Sequence, residues 1–396
     1  MKFQGYIRPD GKLGIRNKIL IVALDECCDG LAKRIAEGHR DVVVLTNHYT
    51  CMLGGNEETF YQMVGICANP NVAAVLVLAM GCGSILISHF VDHAKKCGKP
   101  IESINCIEVG GTKKSIALGR EKLEKLIEYA QQVPRREGTA ADLFVGIKCG
   151  GSDTSSGIAS NPSVGKAADI LYELGATTVA GELIELMGCE EQIQRRAISP
   201  EVAADIAAAS DNELKRWNVD GAPVESMSIG NCIGGLTTIE EKSFGALHKT
   251  GSAPIQGFLQ ISNSGIDHPD KPGFYLSDVS HLCGGAGTNF AALGVQVVMW
   301  TSGAAGFDNE LVPVIKVSGN KDLINDDVDV DATGIMDGSD SAARVGQRIV
   351  DKVEAVCNGE PTATEGFGSS FLTLYQKDVR VEQLLRLKYP HCPMGC

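Results

Sequence analysis

The cysteines are the first residues of this chain with an evident capacity for chemistry. Cys27, Cys51, Cys82 and Cys106 each follow a predicted strand closely, and Cys149 directly follows another. Because the carboxyl ends of parallel strands share one edge of a sheet, separate loops can bring these thiols to one place. Thiols gathered from distant loops suit iron or an iron–sulfur cluster with an open coordination position. The alternative is that each cysteine is simply a small buried hydrophobic residue.

A glycine- and serine-rich loop follows the strand predicted before Cys149. Residues 148–162 read KCGGSDTSSGIASNP, a pattern in which backbone N–H groups and hydroxyls can hold an anion at a helix N-terminus. Asn161 is expected to cap that helix, with Pro162 at its first position. Asp153 is either a carboxylate with a chemical role or a residue that stabilises the turn.

Carboxylates form another candidate group, after the predicted strand Thr177–Ala180. Glu182 and Glu185 are three residues apart, so one helical face would present both. They could be metal ligands or an acid–base pair, or they could only favour a helix N-terminus. Farther along, residues 237–241 read TTIEE and predict a capping box, with either threonine as the cap and either glutamate reaching back.

The histidines add one candidate. His48 lies at a predicted strand end, where it is a possible base or ligand, whereas His248, His268 and His281 lie in polar segments and are expected in solvent. The last six residues, HCPMGC, carry two cysteines spaced to clamp a metal, but we expect a disordered tail there.

An alternation of strand and helix patterns must position these loops. Short Val/Ile/Leu-rich runs predict strands at Ile19–Leu24, Asp41–Thr46, Ala73–Met80 and Ile101–Asn105. Helical patterns lie between and after them, at Cys28–Glu37, Glu57–Ile66, Ile85–Lys95 and Thr112–Gln131. This alternation predicts a parallel sheet covered on both faces, and residues 1–135 are expected to form a Rossmann-like α/β domain with strand-end cysteines.

The alternation restarts after Gln132–Asp142, a polar segment with Pro and Gly that is the best candidate for a domain boundary. The strands predicted beyond it are Leu143–Lys148, Thr177–Ala180, Gln256–Ile261, Val295–Trp300 and Val312–Val317, with helices at Val164–Leu174 and Glu201–Trp217. Glycine-rich loops dominate from Gly221 onward. We therefore predict a larger α/β catalytic domain over residues 140–396, with long Gly-rich loops.

Composition limits the class of protein. The 396 residues are 44% hydrophobic and 21% charged, with a net charge of −13, which argues against binding of nucleic acid. The longest apolar run, Val72 to Phe90, is interrupted by Gly81-Cys82-Gly83-Ser84 and does not predict a membrane span. With no signal peptide and 14 cysteines, reduced thiols and a cytoplasmic location are expected. A GxGxxG turn is absent after the first strand, which excludes a standard dinucleotide-binding oxidoreductase.

Four segments resemble one known family. They are GYIRPDGKLGIRNKILIV at 5–22, CGGSDTSSG at 149–157, NCIGGLTTIEEKS at 231–243 and VPVIKV at 312–317. With Asp278, they are similar to the altronate/galactarate dehydratase family over almost the whole chain. The resemblance implies a lyase that eliminates water from a sugar acid or other 2-hydroxy carboxylate, with iron as Fe²⁺ or an iron–sulfur cluster.

The resemblance also implies roles for single residues. Catalytic roles are expected for Lys148, Asp153, His48, Glu240 and Lys242. Substrate contacts are expected for Gly151, Ser152, Ser156, Asn161, Asn231, Thr237 and Thr238. Cys27, Cys51 and Cys82 are the expected iron ligands, although the spacing from His48 to Cys51 is one residue shorter than is usual in the family, and Cys28 competes with Cys27.

Two other functions stay open. The large subunit of (2R)-sulfolactate sulfo-lyase belongs to the same family and performs the elimination with sulfite as the leaving group; that branch lacks the three strand-end cysteines, so their presence favours dehydration. A non-enzymatic iron–sulfur scaffold is the second alternative. Single-chain dehydratases of the family have a small domain before the opening motif, so we expect a separate small subunit as a partner. An acidic small-molecule substrate and a homo-oligomer are also expected.

Overall fold

A computed structural model describes residues 1–51, 57–217, 228–280, 283–303, 308–367 and 372–376. The strands in these ranges are β1 Lys2–Ile7, β2 Leu13–Gly14, β3 Lys18–Ala23, β4 Val42–Thr46, β5 Val72–Ala79, β6 Ile101–Asn105, β7 Arg135–Thr139, β8 Phe144–Cys149, β9 Thr177–Ala180, β10 Ile255–Leu259, β11 Ile261–Ser262, β12 Gly265–Ile266, β13 Phe274–Ser277, β14 Val297–Thr301, β15 Val314–Ser318 and β16 Val330–Asp331. The α-helices there are α1 Asp29–Ala36, α2 Glu57–Ala68, α3 Ile87–Ala94, α4 Cys106–Val109, α5 Thr112–Gln131, α6 Asn161–Glu173, α7 Glu190–Arg196, α8 Pro200–Trp217, α9 Ile229–Ile233, α10 Ile239–Leu247, α11 Cys283–Leu293 and α12 Ala342–Cys357.

The first parallel sheet has four strands in the order β4-β3-β5-β6. β5 is buried along its whole length, as expected of a strand with helices on both faces. Helices α1 and α5 pack on one face with Ile19 and Ile21. On the other face, side chains of α2 and α3 pack with Leu20 and Val22. The predicted α/β fold is confirmed here, and each predicted strand lies within a residue or two of an observed one.

A second parallel sheet has seven strands in the order β10-β13-β9-β8-β14-β15-β16. Helices α6 and α12 cover one face. On the opposite face α11 packs, and its other side contacts α2 of the first sheet's layer. One hydrophobic core therefore continues from the first sheet to the second. The sequence patterns missed β13 and the short β16, because each is bounded by Gly, Asp or Pro and has only two to four residues.

The segment predicted to be a polar boundary contains a strand. β7 pairs with β1 in a small antiparallel sheet with β2, so residues from the start of the chain and from the boundary lie side by side. In the described ranges, no helix is both long enough and apolar enough to cross a membrane.

Two buried asparagines join the two parallel sheets. The Asn69 amide donates to the carbonyls of Ala291 (2.8 Å) and Val295 (2.9 Å). The Asn71 amide donates to the carbonyls of Gln296 (2.9 Å) and Leu311 (2.8 Å), while its oxygen accepts the N–H of Ile15 at 3.0 Å. Both side chains are fully buried. Because buried backbone groups need partners, these two residues fix how the second sheet sits against the first.

We predict that Asn71→Ala lowers the free energy of unfolding by about 3 kcal/mol or more, because it leaves several buried backbone groups without a hydrogen bond. Asn325→Ala is the matched control: its exposed side chain accepts a local bond from the Asp327 N–H, and a change of about 0.5 kcal/mol is expected. Denaturant unfolding measures both. Equal losses in the free energy of unfolding of the two variants would show that the Asn71 side chain does not join the two sheets.

Candidate active site

A buried lysine and a buried glutamate meet at the carboxyl edge of the seven-stranded sheet. Lys148 is the next-to-last residue of β8, and Glu182 follows β9, the neighbouring strand. The Lys148 ammonium contacts Glu182 Oε1, and the Cys149 N–H donates to Glu182 Oε2 at 2.9 Å. The side chains of Lys148 and Glu182 are 1% and 0% exposed. In open α/β sheets this edge is where ligands bind.

Two further lysines and a second glutamate extend this contact into a network. Lys249 Nζ lies 2.8 Å from Glu182 Oε2 and 3.1 Å from Glu185 Oε2. Lys242 Nζ lies 3.0 Å from Glu185 Oε1. Each glutamate is thus held between two lysines. We call these five residues, Lys148, Glu182, Glu185, Lys242 and Lys249, the charged network.

The network favours the charged forms of Glu185, Lys242 and Lys249 despite their burial. Burial by itself would raise the pKa of Glu185, but Lys242, Lys249 and Lys148 outweigh it and hold that pKa well below its usual value. Burial would lower the pKa of Lys242, yet Glu185 more than compensates and the pKa is raised. Lys249 behaves in the same way, with its pKa raised by both glutamates against the effect of burial. Lys242 is the most accessible lysine of the network, with 13% of its side chain exposed.

Glu182 has an uncommon backbone conformation. Its φ of 64° and ψ of 52° lie in the left-handed region, and among the described residues it is the one non-glycine residue with positive φ. Its N–H donates to the Val279 carbonyl at 3.0 Å. Left-handed backbone at a bulky residue is strained, and such strain is concentrated at functional sites. The conformation directs a carboxylate into the network.

The predicted threonine cap is observed at Thr238 and positions Lys242, but the capping box is incomplete because Glu241 reaches back to Thr237 and not to the N–H of the cap residue. Thr238 caps α10 by accepting the Glu241 N–H at 3.1 Å. Glu241 reaches back to the Thr237 N–H (2.8 Å) and hydroxyl (2.7 Å). Both threonines are exposed and are used by the cap, while Glu240 is exposed beside Gly188 and is not part of the network. The structure therefore gives these three predicted site residues a structural role or a surface position.

Asp153 lies in the adjacent loop and anchors it. Its Oδ1 accepts the Ser155 hydroxyl at 2.7 Å and, from Ser156, the N–H at 2.8 Å and the hydroxyl at 3.0 Å. Its Oδ2 accepts the Asn320 amide at 2.8 Å. These contacts begin a π-helical turn over residues 156–160, a feature frequent at functional sites. The described geometry favours the turn-stabilising interpretation of Asp153.

The other predicted substrate-binding residues lie in or beside the same loop. Ser152 contacts Cys149 Sγ at 2.9 Å, and its carbonyl accepts the Asn231 amide at 2.9 Å. The Gly151 carbonyl accepts the Gly303 N–H at 2.8 Å. The expectation that Asn161 caps α6 is wrong. Asn161 is already helical and its amide instead donates to the Gly245 carbonyl at 3.1 Å, because the π-helical turn continues directly into α6.

The three predicted iron ligands line one cleft at the carboxyl edge of the four-stranded sheet. Cys27, Cys51 and Cys82 are exposed there, in a cavity of about 210 Å³ that His48 also lines. Hydrogen bonds tie the three loops together. Thr50 donates to the Leu24 carbonyl, the Ser84 hydroxyl donates to the Thr50 carbonyl at 2.5 Å, and the Met80 N–H donates to Asp25 at 2.6 Å.

The donor types in this cleft fit iron, but the described side chains do not form a closed set. In the ranges that the structure covers, no three His, Cys, Asp or Glu side chains are grouped so as to hold a metal ion. His48 lies 3.6 Å from Glu26, and its side chain is 54% exposed. His48 therefore sits with the cysteines of the first sheet, and Lys148 and Lys242 sit at the second. His281 and the tail at 391–396 lie outside the described residues.

Sequence patterns missed one member of the network and left two others open. Lys249 follows α10 in a short turn, where neither spacing nor composition distinguishes it from a surface lysine. Glu182 and Glu185 were recognised as a pair, but their partners are 34 to 67 residues away in the chain. Trp300, on the neighbouring strand β14, was also missed, and the centroid of its ring lies 5.2 Å from the Lys148 ammonium nitrogen.

We predict that Asp153→Ala lowers the free energy of unfolding by about 2 kcal/mol, since it removes the acceptor for three donors at the start of the turn. Asp153→Asn keeps an acceptor oxygen and is expected to lose less than half of that. Thermal unfolding of both variants tests this. If Asp153→Asn retains full stability but loses all activity, the carboxylate has a chemical role that this geometry does not reveal.

Comparison with known proteins identifies the family. The profile described as D-galactarate/Altronate dehydratase, C-terminal, matches residues 140–380. The profile described as D-galactarate dehydratase/Altronate hydrolase, second domain, matches residues 5–131.

Named relatives extend over most of the chain. The (2R)-sulfolactate sulfo-lyase subunit beta of Chromohalobacter salexigens is 31% identical, over 92% of this chain and 95% of its own length. The altronate dehydratase of Bacillus subtilis is 30% identical, over 81% of this chain and 66% of its own length. The altronate dehydratase of Escherichia coli is 26% identical, over 95% of this chain and 78% of its own length. The chain therefore belongs to the D-galactarate/altronate dehydratase family of lyases.

Proposed function

We propose that this protein catalyses β-elimination, as dehydration, of a sugar acid or related 2-hydroxy carboxylate. The observation that carries the proposal is the charged network: two buried carboxylates, each held between two lysines, at the sheet edge where ligands bind. Elimination beside a carboxylate requires removal of a poorly acidic α-proton and stabilisation of the charge that develops. Buried ammonium groups can supply that stabilisation, since water does not screen them.

Lys242 is the group that we assign to the substrate carboxylate. It is the most accessible of the three network lysines, and Glu185 holds its ammonium in place at 3.0 Å. The network contributes three ammonium groups and two carboxylates among the described residues, which suits an anionic substrate. In a protein with a net charge of −13, such a local concentration of cations is needed to attract an acid.

Lys148 and Glu182 are the groups that we assign to proton transfer. Glu182 takes a proton from the Lys148 ammonium, and the resulting amine accepts the α-proton of the substrate. The C–H electron pair forms the C=C bond as the β C–O bond breaks, and its electrons leave with oxygen. Glu182 returns its proton to that oxygen, so water departs and both residues recover their starting charges. The enol product then becomes a 2-oxo acid.

A second candidate is elimination of sulfite from sulfolactate. It is favoured by the relative named as a sulfo-lyase subunit, whose sequence aligns over 95% of its length. The proton transfer would be the same, with the β C–S bond breaking in place of C–O.

The relative's name also supports a partner, and we propose that a small second subunit completes the enzyme. The free thiols of the described cysteines suit the reducing cytoplasm, where we expect it to act.

Iron binding by Cys27, Cys51 and Cys82 is a separate proposal. It is supported by three exposed thiols on loops that hydrogen bonds hold around one cleft. Thiolates are ligands that iron accepts. Their side chains would have to turn toward one another to bind it.

We predict that the protein, assayed anaerobically alone and with a small partner subunit, converts at least one acid from a panel of aldonates, aldarates and sulfolactate. Proton NMR of the product distinguishes a 3-deoxy-2-oxo acid from pyruvate released with sulfite. Lys148→Met is expected to reduce kcat about 10²-fold or more, whereas Lys242→Met mainly raises KM because it removes a contact to the substrate carboxylate.

Lys122→Met is the matched control for these variants. Lys122 also pairs with a glutamate, Glu102, at 2.5 Å, but it does so on α5 of the first layer. Its kinetics are expected to equal those of the wild type. Full activity of Lys148→Met would remove Lys148 from the chemistry, and inactivity of the wild type toward every acid would contradict the proposed function.

We predict that anaerobically purified protein binds iron and that Cys82→Ser reduces its iron content to less than half. The physical reason is that a serine hydroxyl is a poor substitute for a thiolate ligand. Iron analysis and the visible absorption of iron–thiolate bonds measure this without any substrate. Cys97→Ser, which changes a half-buried cysteine after α3, should keep its iron. Unchanged iron in Cys82→Ser would show that Cys82 is not an iron ligand.

A further inference from the structure

Lys249 is the most deeply placed cation of the charged network, and its backbone is held from two sides. Its side chain is 0% exposed. The turn that carries it packs against α6, where a Cβ at Gly165 would overlap the His248 carbonyl. On the other side, Arg196 donates to the Thr250 hydroxyl at 2.7 Å and to the Thr250 carbonyl at 3.1 Å. The backbone at Lys249 is therefore held in place, which restricts where its ammonium can lie.

The two oxygens of the Glu182 carboxylate have different partners, and Lys249 is one of them. Glu182 Oε2 accepts from Lys249 at 2.8 Å and from the Cys149 N–H at 2.9 Å. Glu182 Oε1 contacts Lys148. Because two fixed donors occupy Oε2, the carboxylate cannot rotate, and Oε1 stays directed at Lys148. Lys249 also binds Glu185 at 3.1 Å, which offsets the repulsion between two neighbouring carboxylates.

We propose that Lys249 is a positioning residue: it holds Glu182 in its left-handed conformation and aims Oε1 at the Lys148 ammonium. This inference rests on the proposed function, in which Lys148 and Glu182 exchange a proton. Lys249 itself does not touch the substrate in this scheme. Proton transfer is sensitive to such alignment, since displacement by about 1 Å can cost about 10²-fold in rate.

A matched lysine elsewhere separates positioning from general stability. Lys352 also bridges two carboxylates, Glu360 at 2.7 Å and Asp329 at 3.3 Å, and 18% of its side chain is exposed. It lies on α12, outside the network. Lys352→Met removes the same type of bridge, so it is expected to affect stability and to leave the kinetic constants unchanged.

The test compares Lys249→Met, Lys352→Met and the wild type, with concentrations corrected for the folded fraction. The expected result is a loss of about 10²-fold in kcat for Lys249→Met with KM unchanged, and wild-type constants for Lys352→Met. If Lys249→Met does not fold, Lys249→Gln takes its place, since it removes the ammonium but keeps a polar side chain and leaves the contact between Glu185 and Lys242 unchanged. In a crystal structure of the variant, Glu182 is expected to leave positive φ or turn Oε1 away from Lys148.

The outcomes separate this proposal from the one on which it rests. Wild-type kcat in Lys249→Met, or a rise in KM without a fall in kcat, would overturn the positioning role while the elimination itself stands. An inactive wild type would contradict the elimination instead. Even then the crystal structure decides, because Glu182 unchanged in conformation and in its contact with Lys148 would show that Lys249 does not position it.

Discussion

The pairing of buried charges at the edge of the second sheet constrains much of the architecture around it. Two neighbouring buried carboxylates, those of Glu182 and Glu185, are costly in the protein interior unless cations lie close by. Those cations come from β8, from α10 and from the turn after α10. The ion pairs therefore require three segments to meet at one point: the end of β8, the glutamates after β9, and α10 with the turn that follows it. The close packing of α6 against the turn that carries Lys249 follows from the same requirement, since a loose turn could not place an ammonium between two carboxylates.

The sequence predicted the layers of the fold better than the chemistry of the site. Short apolar runs such as the one over β5 are local signals, so the α/β fold and most parallel strands followed from them. The cap of α10 by a threonine was also predicted from the sequence, because a helix cap and the N–H group that it accepts lie within one turn of each other. Lys249 was not, since its partners are 67 and 64 residues away and nothing local marks it as buried. Ion pairs of this kind are a property of the folded chain.

Asp153 illustrates the opposite case. A carboxylate in a Gly/Ser loop next to a strand end is a reasonable catalytic candidate, and the resemblance to a lyase family strengthened that expectation. Its hydrogen bonds to Ser155, Ser156 and Asn320 nevertheless account for both of its oxygens. An aspartate in the same motif can thus either stabilise a loop or take part in a reaction. Only the direction of its contacts distinguishes the two, and that information is three-dimensional.

The choice of lysine over arginine in the network has a chemical consequence. A guanidinium remains protonated at any pH a protein meets, so it binds and orients but does not exchange protons. Arginine is used in this way beside the first parallel sheet, where the buried Arg8 donates to the carbonyls of Pro70 at 2.5 Å and Arg16 at 2.9 Å. All three cations of the charged network are lysines, and in the elimination proposed above one of them, Lys148, gives a proton to Glu182. Lysine is not confined to that role, because the buried Lys99 ammonium also holds backbone, donating to the carbonyls of Cys67 at 3.0 Å and Asn69 at 2.6 Å. What distinguishes the charged network is that each of its ammonium groups contacts a buried carboxylate, to which a proton could pass.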